Sequence, residues 1–456
     1  MPPIPSIPVA GLPILTAAEM RAAEEAHGDL AGLMERAGQG VAQAVRRLAA
    51  SGEVLVLCGP GNNGGDGYVA AAALRRSDLS VRVAAGGEPR TDLARDARAR
   101  WGGPVEDVAT AAPAPVLVDA LFGTGLSRPL PDEMAAALCR LADAARLRVA
   151  VDLPSGVATD DGRCLSEPPR FDLTLALGAV KPAHLLHPAA GFAGEVRVVE
   201  LGLKPHAAAR VLARPVLPEP GPASHKYSRG MVAVVAGRMG GAAELAAEAA
   251  LRAGAGYALH LGGRDPRAAP HAVVRRRWSA EALDDPRIGA VVVGPGLGRD
   301  DEGRTRLDAA LASGRAVVID GDALHLLDPD ALRPAPAILT PHQGEFDALF
   351  GKGDGSRIDR ARAAAVRARA VVVLKGPDTV IAAPDGQVVV AGGASAWLST
   401  AGTGDVLAGA TGAMLASGLP AFEAAAAAVW LHGRAASLCG RSFIADDLAA
   451  ALSRVR

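Results

Sequence analysis

The chain has few aromatic residues and no excess of either charge. Phe, Trp and Tyr make up 3% of its 456 residues, and 48 Lys and Arg against 49 Asp and Glu give a formal net charge of -1. Proteins that bind nucleic acid or an anionic membrane surface through charge carry a basic excess, which is missing here. We therefore expect neither nucleic acid nor a membrane among the partners of this protein.

Cysteines and long apolar runs are also scarce. The four cysteines lie far apart and form no Cys-x-x-Cys pair, which argues against a structural zinc site or a dithiol redox site. Residues 1–8 are interrupted by prolines and lack a basic residue, so they do not resemble a signal peptide. The most apolar region, 421–430, contains Glu423 and is too short to span a bilayer. We predict a cytoplasmic protein.

Half of the residues are apolar, and the length favours two or three domains with large cores. Thr16 to Glu19 has the form of a capping box, and helical periodicity follows to about Ala50 with a break near Gly28. Short apolar runs then alternate with Ala-rich helical stretches, at 54–58, 81–84, 116–118, 149–151, 173–177 and 196–199. This alternation predicts a Rossmann-like, doubly wound α/β domain with a parallel sheet covered on both faces.

The alternation stops near Lys204. Residues 205–223 are rich in Pro and Ala, and we predict that they form an extended linker without secondary structure. Apolar runs then resume at 231–236, 257–261, 290–293, 316–319, 337–339, 371–374 and 379–382. The sequence thus predicts one α/β domain over 1–204 and a second over 224–456.

A glycine-dense loop over 59–67 follows the first strand of the doubly wound domain and precedes a helix predicted to begin near Tyr68. Ligands of such sheets bind at the carboxyl ends of strands, where Asp119, Asp152 and Lys181 are also predicted to lie. The glycine spacing matches neither Gly-x-Gly-x-x-Gly nor a Walker loop, so generic nucleotide templates do not apply. The alternative is that the two Asp residues only cap the turns that follow them.

This loop, together with Asp152-Leu-Pro-Ser-Gly, resembles the NAD(P)H-hydrate epimerase domain over about residues 15–203. The resemblance implies a domain that interconverts the R and S forms of NADHX and NADPHX, the hydrates of NADH and NADPH. It also implies potassium bound by Asn63, Asp119 and Ser155, whose oxygen atoms suit such a cation.

The implied substrate contacts of this domain are Asn62, Asn63, Gly64, Gly65, Asp66, Gly123, Thr124, Gly125, Leu126, Ser127, Arg128, Pro129 and Asp152. Epimerising a carbinolamine carbon requires only that hydroxide leaves and water returns on the other face. A carboxylate that gives and takes a proton is sufficient for this reaction, and we predict Asp152 as the acid and base.

In the second half, residues 399–405 followed by an apolar run predict a glycine-rich turn that opens a helix. The free N–H groups and the dipole at such a helix start favour an anion, so phosphate is the expected ligand. Asp405 in this first turn is either an ordinary carboxylate complementing the dipole or a base facing a substrate hydroxyl. Matching turns are predicted after other strands at 294–298 and 340–345 and between two strands at 375–379.

These turns and the segment 241–256 resemble the ADP/ATP-dependent NAD(P)H-hydrate dehydratase, which has a ribokinase-like fold, over about residues 224–454. The implied nucleotide contacts are Lys375, Gly376, Pro377, Asp378, Thr379 and Gly404. The implied contacts of the hydrated nicotinamide are Ala242, Gly296, His342 and Asp405. Two segments, His225–Gly230 and Asp320–His325, depart from the usual family pattern, and both are expected beside the site.

Water is a poor leaving group and phosphate a good one. We therefore predict that Asp405 deprotonates the substrate hydroxyl as it attacks the terminal phosphate of ADP or ATP. The amides of 402–404 would stabilise the transferred group, with Lys375 or a magnesium ion assisting. The expected protein is a bifunctional metabolite-repair enzyme, an isomerase and a lyase, that forms a homo-oligomer.

Two alternatives remain. A glycine-rich anion site can serve any hydroxyl acceptor, so the second domain would also suit a ribokinase-like kinase for a vitamin precursor. The first domain would then be a non-catalytic nucleotide-binding module. Loss of Asp152 or of the Asn-Asn-Gly-Gly-Asp loop would have been the mark of such a module, and both are present.

Overall fold

The structure, a computed structural model, describes residues 6–49, 52–205, 207–262, 270–331 and 335–456. It divides into two compact units, Met1–Val211 and Leu212–Arg456. Parts of three sequence predictions lie outside the described residues. These are positions 1–5 of the segment predicted not to be a signal peptide, Ala50 at the predicted helix end, and position 206 of the predicted linker.

The first unit is a doubly wound α/β domain. Its strands are β1 (Ser6–Pro8), β2 (Pro13–Ile14), β3 (Val54–Cys58), β4 (Val81–Ala85), β5 (Glu106–Asp107), β6 (Val116–Ala120), β7 (Leu147–Val151), β8 (Leu173–Leu177), β9 (Glu195–Val199) and β10 (Ala209–Val211). Its α-helices are α1 (Ala17–His27), α2 (Leu30–Leu48), α3 (Asn62–Arg75), α4 (Asp92–Trp101) and α5 (Asp132–Ala144), and 3-10 turns lie at Pro182–His184 and Ala189–Gly191.

The main sheet has the order β1-β9-β8-β7-β6-β3-β4-β5, parallel except for β1, and β2 pairs antiparallel with β10. Successive residues of β3 point to opposite faces. Val54 and Val56 pack in the core with α2 and α3, whereas Leu55 and Leu57 pack in the core with α5. Both faces are therefore apolar, and the predicted continuous apolar strands are confirmed.

The start of the first unit matches the sequence prediction. The Thr16 hydroxyl accepts a hydrogen bond from the Glu19 backbone at 3.2 Å, and the Glu19 carboxylate accepts one from the Thr16 backbone at 2.8 Å, which completes the capping box. Gly28 ends α1 in the left-handed region at φ 80°. The predicted break between the two helices is therefore confirmed.

The predicted start of α3 near Tyr68 is wrong, because α3 begins at Asn62 and includes most of the glycine-dense loop. Asn and Gly are poor helix formers, so propensity alone places the start too late. Tertiary packing requires the helix to lie very close to the sheet. A Cβ on Gly64 would lie 1.9 Å from the Gly59 carbonyl oxygen, and one on Gly67 would lie 2.8 Å from the Ala120 Cβ.

The second unit is also α/β. Its strands are β11 (Met231–Val235), β12 (Tyr257–Leu261), β13 (Val274–Arg276), β14 (Ile288–Val293), β15 (Ala316–Ile319), β16 (Ala337–Leu339), β17 (Val371–Leu374), β18 (Thr379–Ala382) and β19 (Val388–Ala391). Its α-helices are α6 (Gly240–Arg252), α7 (Asp301–Ala312), α8 (Asp322–Leu326), α9 (Gln343–Phe350), α10 (Arg357–Ala368), α11 (Thr403–Ala416), α12 (Ala421–Cys439) and α13 (Ala445–Leu452), and 3-10 turns lie at Ala280–Asp284 and Ala396–Leu398.

These strands follow the order β13-β12-β11-β14-β15-β16-β17-β18-β19, parallel from β13 to β17 and antiparallel from β17 to β19. Helices α6, α11, α12 and α13 pack over one face of this sheet in one large core. Because β11, β14, β15, β16 and β17 are parallel neighbours, the segments that follow them lie at one edge. The turns at 294–298, 340–345 and 375–379 follow β14, β16 and β17, as the sequence predicted.

The sequence analysis did not predict several short strands. Strands β1, β2, β5, β10, β13 and β19 were not predicted, and β10 lies inside the stretch predicted to be a linker without secondary structure. That part of the linker prediction is wrong, because the extended chain at 209–211 pairs with β2. Among the described residues, no helix combines the length and apolar character needed to cross a membrane.

Candidate active sites

A cavity of about 540 Å³ lies in the first unit at the carboxyl edge of the parallel strands. Among the predicted substrate residues, its walls include Asn62, Asn63, Asp66, Gly123, Thr124, Gly125, Leu126, Ser127, Arg128 and Asp152. Helix α1 and the segment after β8 contribute Glu24 and Lys181. Most of the residues predicted from the sequence are therefore brought to one cavity.

Asp152 occupies a constrained position at the end of β7. Its φ is 67°, in the left-handed region that only Asn, Asp and Gly adopt readily, and its side chain is buried. Oδ1 accepts hydrogen bonds from Lys181 Nζ at 2.5 Å and from the Leu177 N–H at 3.2 Å. Oδ2 accepts one from the Thr124 N–H at 3.1 Å.

Burial alone would raise the pKa of the Asp152 carboxyl, but the Lys181 ammonium and the donated hydrogen bonds outweigh it, and the pKa is lowered. Lys181 is itself 1% exposed and also donates to the Leu177 carbonyl at 2.6 Å. The pair is a buried salt bridge with each charge hydrogen-bonded. Asp152 is therefore held as a carboxylate at the cavity wall.

His184 forms hydrogen bonds with the backbone of both Lys181 and Asp152. Its Nδ1 accepts a hydrogen bond from the Lys181 N–H at 2.9 Å, so Nε2 carries the proton and donates to the Asp152 carbonyl at 2.5 Å. Burial, followed by the nearby Lys181, lowers the pKa of His184 to about 4. The imidazole therefore stays neutral and holds the backbone of Asp152 in its unusual conformation.

Asp119 and Ser155 form a second group at the neighbouring strand ends. Asp119 is fully buried and accepts hydrogen bonds from the Ser155 hydroxyl at 2.7 Å, the Ser155 N–H at 2.9 Å and the Leu121 N–H at 3.1 Å. Burial raises the pKa of its carboxyl to about 6, although these hydrogen bonds oppose the rise. At pH 7 this carboxylate is mainly ionised, and within the described part of the chain it has no cationic partner.

Asn63 lies on the other side of the turn that follows β6. With its amide oriented to satisfy its neighbours, its Nδ2 donates to the Val151 carbonyl and its Oδ1 accepts from the Gly123 N–H, both at 3.3 Å. A Cβ on Gly123 would lie 2.8 Å from Asp152 Oδ2 and 2.9 Å from the nearest terminal atom of the Asn63 amide. Glycine at this position therefore allows the turn to approach both side chains.

Three further carboxyl groups, Glu24, Glu25 and Asp66, line the cavity. Asp66 is 8% exposed, and within the described residues its side chain forms no hydrogen bond and no salt bridge. Burial, with the nearby charges of Asp152 and Glu24, raises its pKa well above the ordinary value. Burial likewise raises the pKa of Glu24, partly offset by Lys181.

Three predicted contacts, Gly64, Gly65 and Pro129, are absent from the described cavity lining. The first two are buried where α3 packs against its neighbours, and a Cβ on Gly65 would lie 2.6 Å from the Met34 methyl carbon. Their structural role is close packing, and their contact with a substrate stays a prediction.

In the second unit, Asp320 lies at the centre of the carboxyl edge of the sheet. It is buried, and its Oδ1 accepts hydrogen bonds from Thr340 Oγ1 at 2.7 Å and from Lys375 Nζ at 2.8 Å. Burial disfavours the charged form of Lys375, but Asp320 and then Glu345, whose Oε2 lies 4.0 Å away, raise its pKa. Asp320 therefore joins the ends of three strands, β15, β16 and β17, because it follows the first and binds residues that follow the other two.

Helix α11 begins at Thr403, after Gly402 in the left-handed region at φ 90°, so the predicted glycine-rich helix start is confirmed. Asp405 is partly buried in its first turn. Burial, followed by the charge of Asp320, raises the pKa of its carboxyl to about 6, and Lys375 opposes the rise. A Cβ on Gly404 would lie 3.5 Å from Lys375 Nζ, so this helix start faces the Lys375 ammonium.

The predicted contacts of the hydrated nicotinamide come from neighbouring strand ends. Met239 joins two of them, because its N–H donates to the Gly296 carbonyl at 3.0 Å and its carbonyl accepts from the Ala242 N–H at 3.2 Å. His342 caps α9, where its Nδ1 accepts from the Glu345 N–H at 3.1 Å. Glu345 thereby links His342 to the Lys375 group.

The predicted nucleotide segment 375–379 lies in the turn between β17 and β18, as expected from the sequence. The Thr379 hydroxyl closes the turn by donating to the Gly376 carbonyl at 2.9 Å. Asp378 is 1% exposed and its Oδ1 lies 3.1 Å from Arg357 Nε. The Asp378 side chain thus forms a buried ion pair, and contact of this segment with a nucleotide stays a prediction.

The prediction that the segment His225–Gly230 lies beside the site is wrong. Segment 225–230 precedes β11, and Tyr227 packs on Tyr257 at the start of β12, with ring centroids 5.7 Å apart. It therefore lies at the amino edge of the sheet, opposite the carboxyl edge that carries Asp405. The other departure, 320–325, does lie beside the site, since Asp322 Oδ2 accepts from the Gly298 N–H at 3.0 Å.

Sequence reasoning did not assign roles to His184, Glu24, Asp320, Glu345 or Arg357. His184 carried the clearest signal, because it follows Lys181 by three residues after a predicted strand end. Asp320 and Glu345 lie in segments that the sequence analysis had singled out without giving these residues a role, whereas Glu24 and Arg357 became visible only as partners across the fold.

Comparison with known proteins finds a matching family for each half of the chain. Residues 30–183 match the family described as YjeF-related protein N-terminus, and residues 232–455 match the family described as NAD(P)H-hydrate dehydratase. A ribokinase-like superfamily protein from Enterococcus faecalis V583, solved by crystallography, has a TM-score of 0.50 and 24% identity. The match covers 55% of this chain and 95% of that chain, and it supports the ribokinase-like fold.

Two relatives match nearly the whole chain. Bifunctional NAD(P)H-hydrate repair enzyme Nnr of Mycobacterium tuberculosis (strain CDC 1551 / Oshkosh) is 37% identical over 422 residues, which cover 86% of each chain. The enzyme of that name from Escherichia coli (strain K12) is 33% identical over 483 residues, which cover 96% of this chain and 92% of the relative. The chain belongs to the family of bifunctional NAD(P)H-hydrate repair enzymes.

Proposed function

We propose that the first unit interconverts the R and S forms of NADHX and NADPHX and that the second unit dehydrates the S form to NADH or NADPH at the expense of ADP or ATP. One observation carries the proposal: Asp152 and Asp405, the carboxylates predicted for the two reactions, each lie in a separate built site of one chain. The predicted cytoplasmic location and homo-oligomeric state remain predictions.

Epimerisation in the first unit requires loss of hydroxide from the carbinolamine carbon. The positive charge that develops is shared between that carbon and the ring nitrogen. Asp152, held ionised by Lys181 at 2.5 Å, is positioned to stabilise this charge and to accept a proton from the returning water. The Gly123–Arg128 turn, fixed on one side by the Thr124 to Asp152 hydrogen bond, would hold the dinucleotide.

Dehydration in the second unit begins with phosphorylation of the substrate hydroxyl. Asp405 accepts the hydroxyl proton as the oxygen attacks the terminal phosphorus of the nucleotide. The first-turn amides of α11 and the Lys375 ammonium stabilise the charge on the transferred group. Phosphate then leaves with the carbon–oxygen bond pair, the neighbouring ring carbon loses a proton, and the products are NADH or NADPH, phosphate and the shortened nucleotide.

Magnesium is the divalent ion expected with the nucleotide, and it would neutralise charge on the transferred phosphate when bound. The described residues contain no group of three or more His, Cys, Asp or Glu that could hold a metal ion. Asp405 and Asp320, the carboxylates at the start of α11, would be the residues closest to an ion bound by the nucleotide's phosphates.

Potassium fits the group around Asp119. Among the described residues, only uncharged donors of Ser155 and Leu121 form hydrogen bonds with its fully buried carboxylate, so a monovalent cation nearby would offset its charge. Asn63 and the carbonyl groups of the adjacent turns are oxygen donors of the type such an ion prefers. When bound, the ion would supply positive charge and fix the turn that follows β6.

The potassium proposal can be tested in the full chain. Replacing potassium with tetramethylammonium should slow epimerisation or raise its KM, and Asp119→Asn should remove the response to potassium. Crystals soaked in rubidium should show an anomalous peak among Asn63, Asp119 and Ser155. Epimerisation that ignores potassium, together with a map without that peak, would reject the site.

One assay tests the proposed function as a whole. The protein is incubated with mixed R and S hydrate and either ADP or ATP, and dihydronicotinamide absorbance is followed together with the R to S ratio. We expect complete conversion of both forms with nucleotide and interconversion alone without it. Phosphorylation of a vitamin-precursor alcohol, with both hydrates untouched, would instead establish the kinase alternative.

A further inference from the structure

Asp66 is a buried carboxyl group of the first site that the mechanism above does not use. It lies in the second turn of α3, between Gly65 and Gly67, and contributes to the wall of the cavity that also contains Asp152. Its side chain is more than nine-tenths buried and has no hydrogen-bond or ion-pair partner within the residues that the structure describes. Such a group needs an explanation, because an ionised carboxylate without partners is costly to bury.

The surroundings of Asp66 and Asp152 differ in kind. Asp152 receives donors at both oxygens, from Lys181, Leu177 and Thr124. Asp66 receives none. The charged groups lining the cavity around Asp66 are Arg21, Glu24, Glu25, Arg128, Asp152 and Lys181.

Among these groups, Lys181 is already bound to Asp152 at 2.5 Å. Burial and the negative charges of Asp152 and Glu24 therefore favour the protonated form of Asp66, which agrees with its raised pKa. The surroundings therefore favour the ionised form of Asp152 and the protonated form of Asp66, the kind of difference found where two acids share acid and base roles.

We propose that Asp66 is the proton donor of the epimerisation and that Asp152 is its ionised partner. The assignment rests on the epimerase function proposed above for the first unit. In the R to S direction, the carbon–oxygen bond of the carbinolamine breaks with its electron pair going to oxygen. The Asp66 proton goes to that oxygen, so water leaves and the ring-nitrogen lone pair forms the C=N bond.

Water then adds to the other face of this cation, and its proton goes to Asp152. A proton returns from Asp152 to Asp66 through solvent in the cavity, so no net proton is consumed. In the reverse direction the two groups exchange roles. The two carboxyl groups come from different elements, α3 and the end of β7, and both line the same cavity.

The test uses the full chain and purified R hydrate without nucleotide, so that the second unit is idle. The S hydrate is measured by chromatography, and the spontaneous interconversion is subtracted. Asp66→Asn should lower kcat for epimerisation on the order of a hundredfold or more while KM changes only a few-fold, since it removes the proton but keeps the shape. The matched control is Asp78→Asn, an exposed residue beyond the end of α3, whose rate should equal wild type.

Folding of the variant is checked separately. Because Asp66 must take up a proton on burial while Asn need not, the melting temperature of Asp66→Asn at pH 7 should equal or exceed that of wild type. Dehydration of purified S hydrate with ADP should be unchanged in the same preparation.

A pH profile distinguishes a proton donor from a residue that only shapes the cavity. The wild-type rate should be constant at low pH and fall as pH rises through the pKa of Asp66, and the residual rate of Asp66→Asn should lack this fall. Epimerisation by Asp66→Asn within a few-fold of wild type, or an unchanged falling limb in the variant, would overturn the assignment. Wild-type protein that dehydrates S hydrate but never interconverts the two forms would instead reject the proposed epimerase function.

Discussion

The same side chain, a carboxyl group, is prepared for different tasks by its neighbours in this protein. Lys181 and backbone donors lower the pKa of Asp152, whereas burial raises that of Asp405 to about 6. A carboxylate with a pKa near 6 is still mainly ionised at pH 7 and is a stronger base than an exposed Asp. Asp405 is therefore suited to accept a proton from a hydroxyl group under neutral conditions.

Asp405→Asn should abolish nucleotide-dependent dehydration, because it removes the base without removing the helix start that would bind phosphate. We expect a loss on the order of a hundredfold or more in the rate of dihydronicotinamide formation from S hydrate and ADP. Two controls should stay close to wild type. They are the interconversion of R and S hydrate without nucleotide and the affinity for ADP measured by calorimetry. Dehydration within a few-fold of wild type would show that Asp405 is not the base.

The pH dependence of dehydration should follow the ionisation of Asp405. The residue acts only as carboxylate, so below its pKa of about 6 the rate should fall about tenfold per pH unit, and above it the rate should level off. The measurement is the initial rate of dehydration of purified S hydrate between pH 5 and 8 at saturating nucleotide. A rate that is flat across this range, with chemistry shown to be rate-limiting, would contradict the prediction.

At the scale of elements, glycine-rich helix starts serve two different purposes. The start of α3 is packed against the sheet, where Gly59 and Gly64 approach too closely for any side chain. At the start of α11, a Cβ on Gly404 would meet only Lys375 Nζ at 3.5 Å and Asp320 Oδ2 at 3.9 Å, which are ordinary contacts. The first glycine cluster is therefore required for folding, and the second leaves space for a ligand.

Gly404→Ala should reduce dehydration without destabilising the fold. Its methyl group would occupy the space that we assign to phosphate, whereas the helical backbone gains about 0.4–1 kcal/mol of stability from replacing Gly. Gly433→Ala in α12 is the matched control, because a Cβ there has nothing within 4 Å. Chemical denaturation should show both variants at least as stable as wild type, with kcat/KM for ADP lowered only in Gly404→Ala.

Unimpaired kcat/KM for ADP in Gly404→Ala would show that this helix start does not contact the transferred phosphate. Gly64→Ala provides a contrast within the other glycine cluster. A Cβ at Gly64 would lie 1.9 Å from the Gly59 carbonyl oxygen, so this variant should lose stability in the same denaturation experiment.

At the scale of the whole molecule, each of the two units has its own set of parallel strands and its own apolar core. Units of this size and burial fold independently in many proteins. The predicted boundary near Lys204 would remove β10, which pairs with β2, so the fragment of the first unit should extend to Val211.

Fragments 1–211 and 212–456 should carry the two activities separately. The first should interconvert R and S hydrate without nucleotide. The second should dehydrate S hydrate and stop when S is consumed, except for the S hydrate that forms slowly by spontaneous inversion of R. Adding the first fragment should restart the reaction, because the hydrates diffuse freely. Chromatography of R, S and NADH over time measures each step.

A folded second fragment that consumes R hydrate alone at the full rate would contradict this division of labour. A first fragment ending at Lys204 is the matched comparison, and it should unfold at a lower denaturant concentration than the one ending at Val211.

The sequence alone determined the central strands and the identity of the sheet edge that carries the sites. Val54–Cys58 and Leu173–Leu177 were predicted residue for residue, because a strand buried on both faces must be a continuous apolar run. Polar residues directly after such runs share one edge, because parallel strands end together. The strands β5 and β13 were missed because they are short, polar edge strands whose pairing partners lie elsewhere in the chain.

Only the tertiary structure decided how the site residues are charged and what supports them. The sequence contains Asp66 and Asp152 as equivalent acids, but only the fold gives Lys181 to Asp152 and no partner to Asp66 among the described residues. Tertiary packing also started α3 at Asn62, against the local preference of Asn and Gly. The physical reason is the same in each case: hydrogen bonding, burial and close approach depend on distances between residues far apart in the chain, which local patterns do not encode.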